Sequence, residues 1–164
     1  MRKSESSPSA ARTWVEVCFQ ALRANVSVAR RLFGPDRKVM AIIKADAYGH
    51  GMEQVALALS KQVNAFGVAH SDEARAVARS LTDSGSDLPI LLLSPALPSE
   101  YPEIVENGWE VSISTAAELE ALADCARKVG KQAGIHLVLD TGMGRMGFLN
   151  EDVRSLVWNL PSEL

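Results

Sequence analysis

Five short apolar runs, each followed by a stretch with helical periodicity, constrain this chain more than any other feature. Residues 39–43 (Val-Met-Ala-Ile-Ile), 65–69 (Ala-Phe-Gly-Val-Ala), 89–93 (Pro-Ile-Leu-Leu-Leu), 110–113 (Glu-Val-Ser-Ile) and 135–139 (Ile-His-Leu-Val-Leu) are too short for helices. They read as strands, the fourth weaker than the rest, most of them apolar enough to be buried on both faces. Between them the apolar period changes to three and four. Met52, Val55, Ala56 and Leu59 form one helical face, and Leu119, Leu122, Ala123 and Ala126 another. Ser71 is expected to cap a helix with Asp72 and Glu73 in its first turn, where carboxylates favour the positive end of the dipole. A further helix is expected from about Pro98 to Asn107, with Gly108 as its terminating glycine. Thr115 and Glu118 have capping-box spacing. Asn150 is expected to cap a last helix that buries Val153, Leu156, Val157 and Leu160 and ends at Pro161.

Strand and helix therefore alternate five times. Such alternation implies parallel strands joined by right-handed crossovers, an α/β fold. Two architectures satisfy it: an open doubly wound sheet, or part of a (β/α)8 TIM-type barrel. A chain of 164 residues can bury a single core, whereas a complete barrel usually takes about 250 residues. Ahead of the five units, residues 14–18 form a short β-prone stretch. Leu22, Val26, Ala29 and Phe33 then mark a helix stopped by Gly34-Pro35. The Ser-rich segment 1–12 lacks the apolar region of a secretory signal and reads as a disordered tail.

Composition narrows the function classes. The net charge of −3 gives no support for nucleic-acid binding, and no apolar run approaches the roughly 20 residues of a membrane span. Cys18 and Cys125 stand alone, and none of His50, His70 and His136 pairs at metal-ligand spacing. These features suggest a reducing, cytoplasmic compartment and no metal site.

In either architecture, chemistry collects at the carboxyl ends of the strands. Two of those ends stand out. The first reads Lys44-Ala45-Asp46-Ala47-Tyr48-Gly49-His50-Gly51. A lysine that directly follows an apolar strand points into the barrel mouth or sheet crevice. Low-dielectric surroundings favour a neutral amine, which is a nucleophile towards aldehydes. Tyr48 lies near enough in sequence to donate a phenolic hydrogen bond in the same site. The second reads Asp140-Thr141-Gly142-Met143-Gly144-Arg145-Met146-Gly147-Phe148. Its glycines let a ligand approach closely, and Arg145 is a planar, permanent donor suited to a carboxylate or phenolate oxygen. It matches neither a phosphate loop nor a dinucleotide fingerprint. A strand-end lysine is commonly solvated and a glycine-rich turn with an arginine is an ordinary loop, so each stretch alone leaves both readings open. His70, Ser94 and Ser114 also follow strands and read as pocket lining or capping residues.

Taken together, the two stretches are more specific. The first resembles the pyridoxal-phosphate lysine motif of alanine racemases, and the second resembles that family's arginine loop, in the same order and at similar separation. Residues 13–17 (Thr-Trp-Val-Glu-Val) are similar to the family's first strand. The resemblance implies an N-terminal (β/α)8 barrel and a C-terminal β domain, a homodimer, and interconversion of L- and D-alanine for cell-wall precursors. It implies that Lys44 holds pyridoxal 5'-phosphate and exchanges the substrate α-proton on the D-alanine face. Tyr48 would bond the cofactor phosphate, and Arg145 would contact the phenolate oxygen and the substrate carboxylate.

Two positions depart from the family pattern. Val138 stands where the family often has a lysine, and Asp46 where asparagine is common. The resemblance covers residues 13–164 as an incomplete barrel domain of five of the eight units, with the C-terminal β domain absent. An inactive, poorly soluble or oligomeric isolated chain is therefore expected. Two other readings stand beside it: a non-catalytic pyridoxal-phosphate-binding barrel protein, and a racemase of broader amino-acid specificity.

Overall fold

In the computed structural model, residues 12–149, 152, 153, 156 and 160–164 are described. Helix α1 (Phe19–Phe33) comes first and ends at Gly34, whose φ of +85° suits glycine. The elements then run β1 (Met40–Ile42), α2 (Lys44–Gly49), α3 (Met52–Leu59), β2 (Ala65–Val68), α4 (Ser71–Asp83), β3 (Ile90–Leu92), α5 (Tyr101–Asn107), β4 (Glu110–Ile113), α6 (Ala116–Val129) and β5 (Gly134–Leu137).

Strand order decides between the two architectures. The sheet runs β1-β2-β3-β4-β5, and each neighbouring pair is parallel. A doubly wound sheet reverses direction at a switch point. Here every crossover steps the same way, and right-handed crossovers then place all the helices on one side. The result is an open, partial barrel.

Side-chain alternation gives the sheet two unlike faces. Ladder register puts Ala41, Phe66, Ile90 on one face, and Val68, Leu92, Val111 and Ile135 with them. These residues belong to the core formed with Val55, Leu59, Val77, Ile104 and Leu122 of the helices. Phe66, Val68, Leu92 and Val111 are fully enclosed. The opposite, inner face carries Met40 and Ile42, then Gly67, Leu91, the pair Glu110 and Ser112, and His136. A Cβ on Gly67 would lie 2.5 Å from Ile42 Cδ1, so a larger residue here would require the Ile42 side chain to move. On the same face His136 Nε2 lies 2.6 Å from Glu110 Oε2.

Several expectations need correction. Residues 14–18 are not a strand. No ladder partner pairs with them among the described residues, and Trp14 and Val15 are largely exposed. A β-prone sequence without a partner leaves its backbone groups to water. Ser71 does not cap α4. His70 is the N-cap, Ser71 is the first helical residue, and its hydroxyl donates to Glu100 instead. Helix α5 begins at Tyr101 rather than near Pro98. The Thr115–Glu118 capping box and the left-handed Gly108 terminator form as expected. The tail 1–11, and the cap and much of the helix expected over 150–160, lie outside the described residues.

Leu92 is fully enclosed between the sheet and the helix layer. Leu92→Ala is expected to cost about 2–5 kcal/mol of stability. Urea unfolding should show a lower midpoint with an unchanged slope.

Candidate functional site

The first candidate stretch folds into an uncommon shape. Ala45, Asp46, Ala47 and Tyr48 all have φ between 53° and 55°, so α2 is a left-handed turn whose four central residues are not glycine. Each such residue costs roughly 1–2 kcal/mol relative to a right-handed conformation, and conformations of this kind cluster at functional sites. The contacts holding the turn are specific. Ala47 N donates to Ile43 O at 2.8 Å, and Gly51 N to Asp46 O at 3.0 Å. Asp46 Oδ1 accepts from Met52 N at 2.7 Å, tying the turn to the start of α3. His50 Nδ1 lies 2.8 Å from Ala47 O. Glu73 reaches in from α4, its Oε1 accepting from Ala45 N at 2.8 Å.

The alternation of β1 carries Lys44 to the inner side. Ile43 is buried in the core face, so Lys44 continues the inner row of Met40 and Ile42. The sheet itself therefore aims the lysine at the barrel mouth.

The second stretch is a pinched loop. Phe148 N donates to Val138 O at 2.8 Å and Asp140 N to Phe148 O at 3.0 Å, closing its neck. A Cβ on Gly147 would meet Asp140 N at 2.7 Å, and its φ of +122° also excludes a side chain. Inside the loop, Asp140 accepts from Gly142 N at 2.9 Å and from Gly144 N at 2.9 Å. The donors of Gly144 and then Gly142 hold the Asp140 carboxyl below its ordinary value of 3.8. Arg145 follows directly and is exposed.

Lys44 and Arg145 line one cleft of about 590 Å3 at the carboxyl ends of the strands. Leu93, Ser94, Ser112 and Val138 line it with them. Among the described residues, the side chains of Lys44 and Arg145 make no hydrogen bond or ion pair. A lysine amine and a guanidinium in one partly apolar cleft can hold and orient an aldehyde bearing anionic groups. A smaller cleft of about 330 Å3 at the amino ends of β3 and β4 is lined by Leu81, Pro89 and Trp109. That end of a barrel serves stability rather than chemistry.

Not every candidate converges. Tyr48 is 62% exposed and stands outside the lining of the Lys44 cleft. His70 is an exposed helix cap, and Ser114 lines a separate depression beside Phe148. Sequence reasoning missed Ser112, which only the β4 register turns inwards. It also missed the reach of Glu73. Among the described residues, no group of three or more His, Cys, Asp or Glu side chains could hold a metal ion. No described helix is long and apolar enough to cross a membrane.

The profile of the alanine racemase N-terminal domain matches residues 17–162. The chain belongs to the alanine racemase N-terminal domain family. An alanine racemase of Methylacidiphilum infernorum is 39% identical over 145 residues, covering 88% of this chain and 36% of that protein. The structure of the alanine racemase of Clostridium difficile 630 superposes with a TM-score of 0.78 at 30% identity. That match covers 85% of this chain and 36% of the other. The biosynthetic alanine racemase of Pseudomonas aeruginosa gives a TM-score of 0.74 at 33% identity over 84% of this chain and 37% of its own. The chain thus spans about a third of the length of the relatives it matches.

The Asp140 bonds make the arginine loop of this family member sensitive to acid. A depressed carboxyl stabilises the loop above its unfolded value and loses that contribution as pH falls through the folded one. Protection of the Gly142 and Gly144 amides against hydrogen exchange should hold at pH values above 3.8 and fall away only below it. In Asp140→Ala both amides should exchange about tenfold faster at neutral pH, read by NMR.

Proposed function

We propose that this chain is the N-terminal, cofactor-holding part of a pyridoxal-phosphate-dependent racemase that interconverts L- and D-alanine. One observation carries the reading: Lys44 and Arg145, from opposite ends of the chain, line one cleft with unpaired side chains. Family membership and the racemase names of the relatives support the substrate assignment.

The residues present suit the cofactor. The cleft falls within the roughly 300–1,000 Å3 of small-molecule sites, and it pairs an amine nucleophile with a guanidinium. When bound, pyridoxal phosphate withdraws electrons from the substrate and acidifies its Cα–H. Lys44 Nζ would hold the group, and its amine would accept and return the α-proton on one face of the substrate carbon. Arg145 would donate to the phenolate oxygen and steer the substrate carboxylate through its planar fork. Leu93 and Val138 give the cleft apolar wall, which strengthens these polar contacts by excluding water. Val138 brings no charge to its side of the cleft, so Arg145 is oriented by its loop rather than by a partner there. Tyr48 would bond the cofactor phosphate in this reading, from its exposed place on the turn beside the cleft. On the same reading the full-length protein works as a cytoplasmic homodimer.

Reductive labelling tests the reading. The chain is mixed with pyridoxal phosphate and reduced with borohydride, and the modified residues are mapped by mass spectrometry. Near-stoichiometric labelling at Lys44, well above every other lysine and lost in Lys44→Ala, is the expected result. Labelling spread evenly over the lysines would overturn the assignment.

A further inference from the structure

The carboxylates at the starts of α4 and α6 perform the same local task with one difference. In α6, Glu118 Oε2 accepts from Ser114 N at 2.8 Å and from Thr115 N at 3.2 Å. Both donors precede its own helix. In α4, Glu73 Oε2 accepts from Ala69 N at 2.7 Å, again four residues earlier. Its second oxygen leaves the unit and takes Ala45 N, at 2.8 Å, from the left-handed turn of the neighbouring unit. One half-buried carboxylate therefore ties the end of β2 to the residue after Lys44.

We propose that Glu73 is the positioning residue of the lysine turn, holding Ala45 N–H and Ala69 N–H on its two oxygens so that Lys44 enters the cleft in one fixed direction. The inference rests on the reading of Lys44 as the cofactor lysine. Its physical basis is the cost of the turn. Four left-handed residues without glycine persist only where their surroundings over-determine them. Ile43 N is held by Gly67 O at 2.9 Å on the strand side, and Asp46 Oδ1 holds Met52 N on the helix side. Between these anchors, Ala45 N is the amide next to Lys44, and Glu73 is its acceptor. Without the second oxygen the backbone at Lys44 gains freedom, and its amine samples directions outside the cleft.

Glu73→Gln tests this while keeping the size of the side chain. An amide has one acceptor oxygen, so its nitrogen must face one of the two backbone donors. Glu118→Ala serves as the control, removing the matching cap of α6 without touching the lysine turn. Each folded variant is treated with pyridoxal phosphate and borohydride, and amide exchange is followed on the same samples. In Glu73→Gln, labelling at Lys44 should fall by about tenfold relative to the other lysines, and exchange should quicken at Ala45. In Glu118→Ala, labelling at Lys44 should match the unaltered chain even if the melting temperature drops as far. Unchanged Lys44 labelling in Glu73→Gln overturns the proposal, as does an equal loss in Glu118→Ala, which would make the effect one of general stability. If the unaltered chain itself shows no preference for Lys44, the cofactor reading fails first and the positioning role falls with it. Should Glu73→Gln not fold, Glu73→Asp gives the same test: it keeps the charge and the local cap but ends one methylene short of Ala45.

Discussion

The handedness of the βα crossover is the constraint from which the rest of the structure follows. Each right-handed step adds a parallel strand on the same side of the previous one, which yields the order β1 to β5 without reversal. All the helices then cover one face. Phe66, Val68, Leu92 and Val111 pack against them and are lost to solvent. The other face is mixed: Met40, Ile42 and Leu91 lie on it beside Gly67, and β4 and β5 add Glu110, Ser112 and His136.

A site grows at one end of this sheet because strand direction and pleat act together. Parallel strands bring their carboxyl ends to one rim, and the alternation along β1 sends Ile43 to the core and Lys44 to the cleft. The loops beyond the rim hold their shapes with carboxylates on backbone amides rather than with packed side chains. Glu73, Glu118, Asp46 and Asp140 each accept from main-chain N–H groups. This device suits a rim where the chain must turn tightly, leave functional side chains unpaired and still be rigid. It also contributes to holding the strained backbone of α2, where Ala45 N finds the charged acceptor Glu73.

Membership of the alanine racemase family gives these local facts a shared purpose, and the family's longer members show how much surrounds them. This chain corresponds to about a third of such a protein. Within that third lie the lysine turn and the arginine loop, with the cleft they share. Tyr48 is exposed on the turn, outside the cleft lining, and Val138 gives the cleft wall an apolar side chain.

Sequence alone determined the five strands and the helices that follow the first four of them, because the apolar period changes visibly from runs to threes and fours. It determined the capping box at Thr115 and the glycine stop at Gly108, which are decided by neighbours in the chain. It also pointed to the two strand-end stretches, whose Lys44 and Arg145 line one cleft. Periodicity could not decide sheet against barrel, because both obey it; the strand order did. The β-prone residues 14–18 lacked a ladder partner, and partners are a tertiary matter. The left-handed turn was equally hidden, since two alanines and a tyrosine carry no signal for positive φ, and contacts from α3 and α4 help to hold them there. Glu73 read as a helix-dipole carboxylate because its own helix accounts for one oxygen. The other oxygen acts across space, on a donor that becomes its neighbour only when the second unit packs against the first.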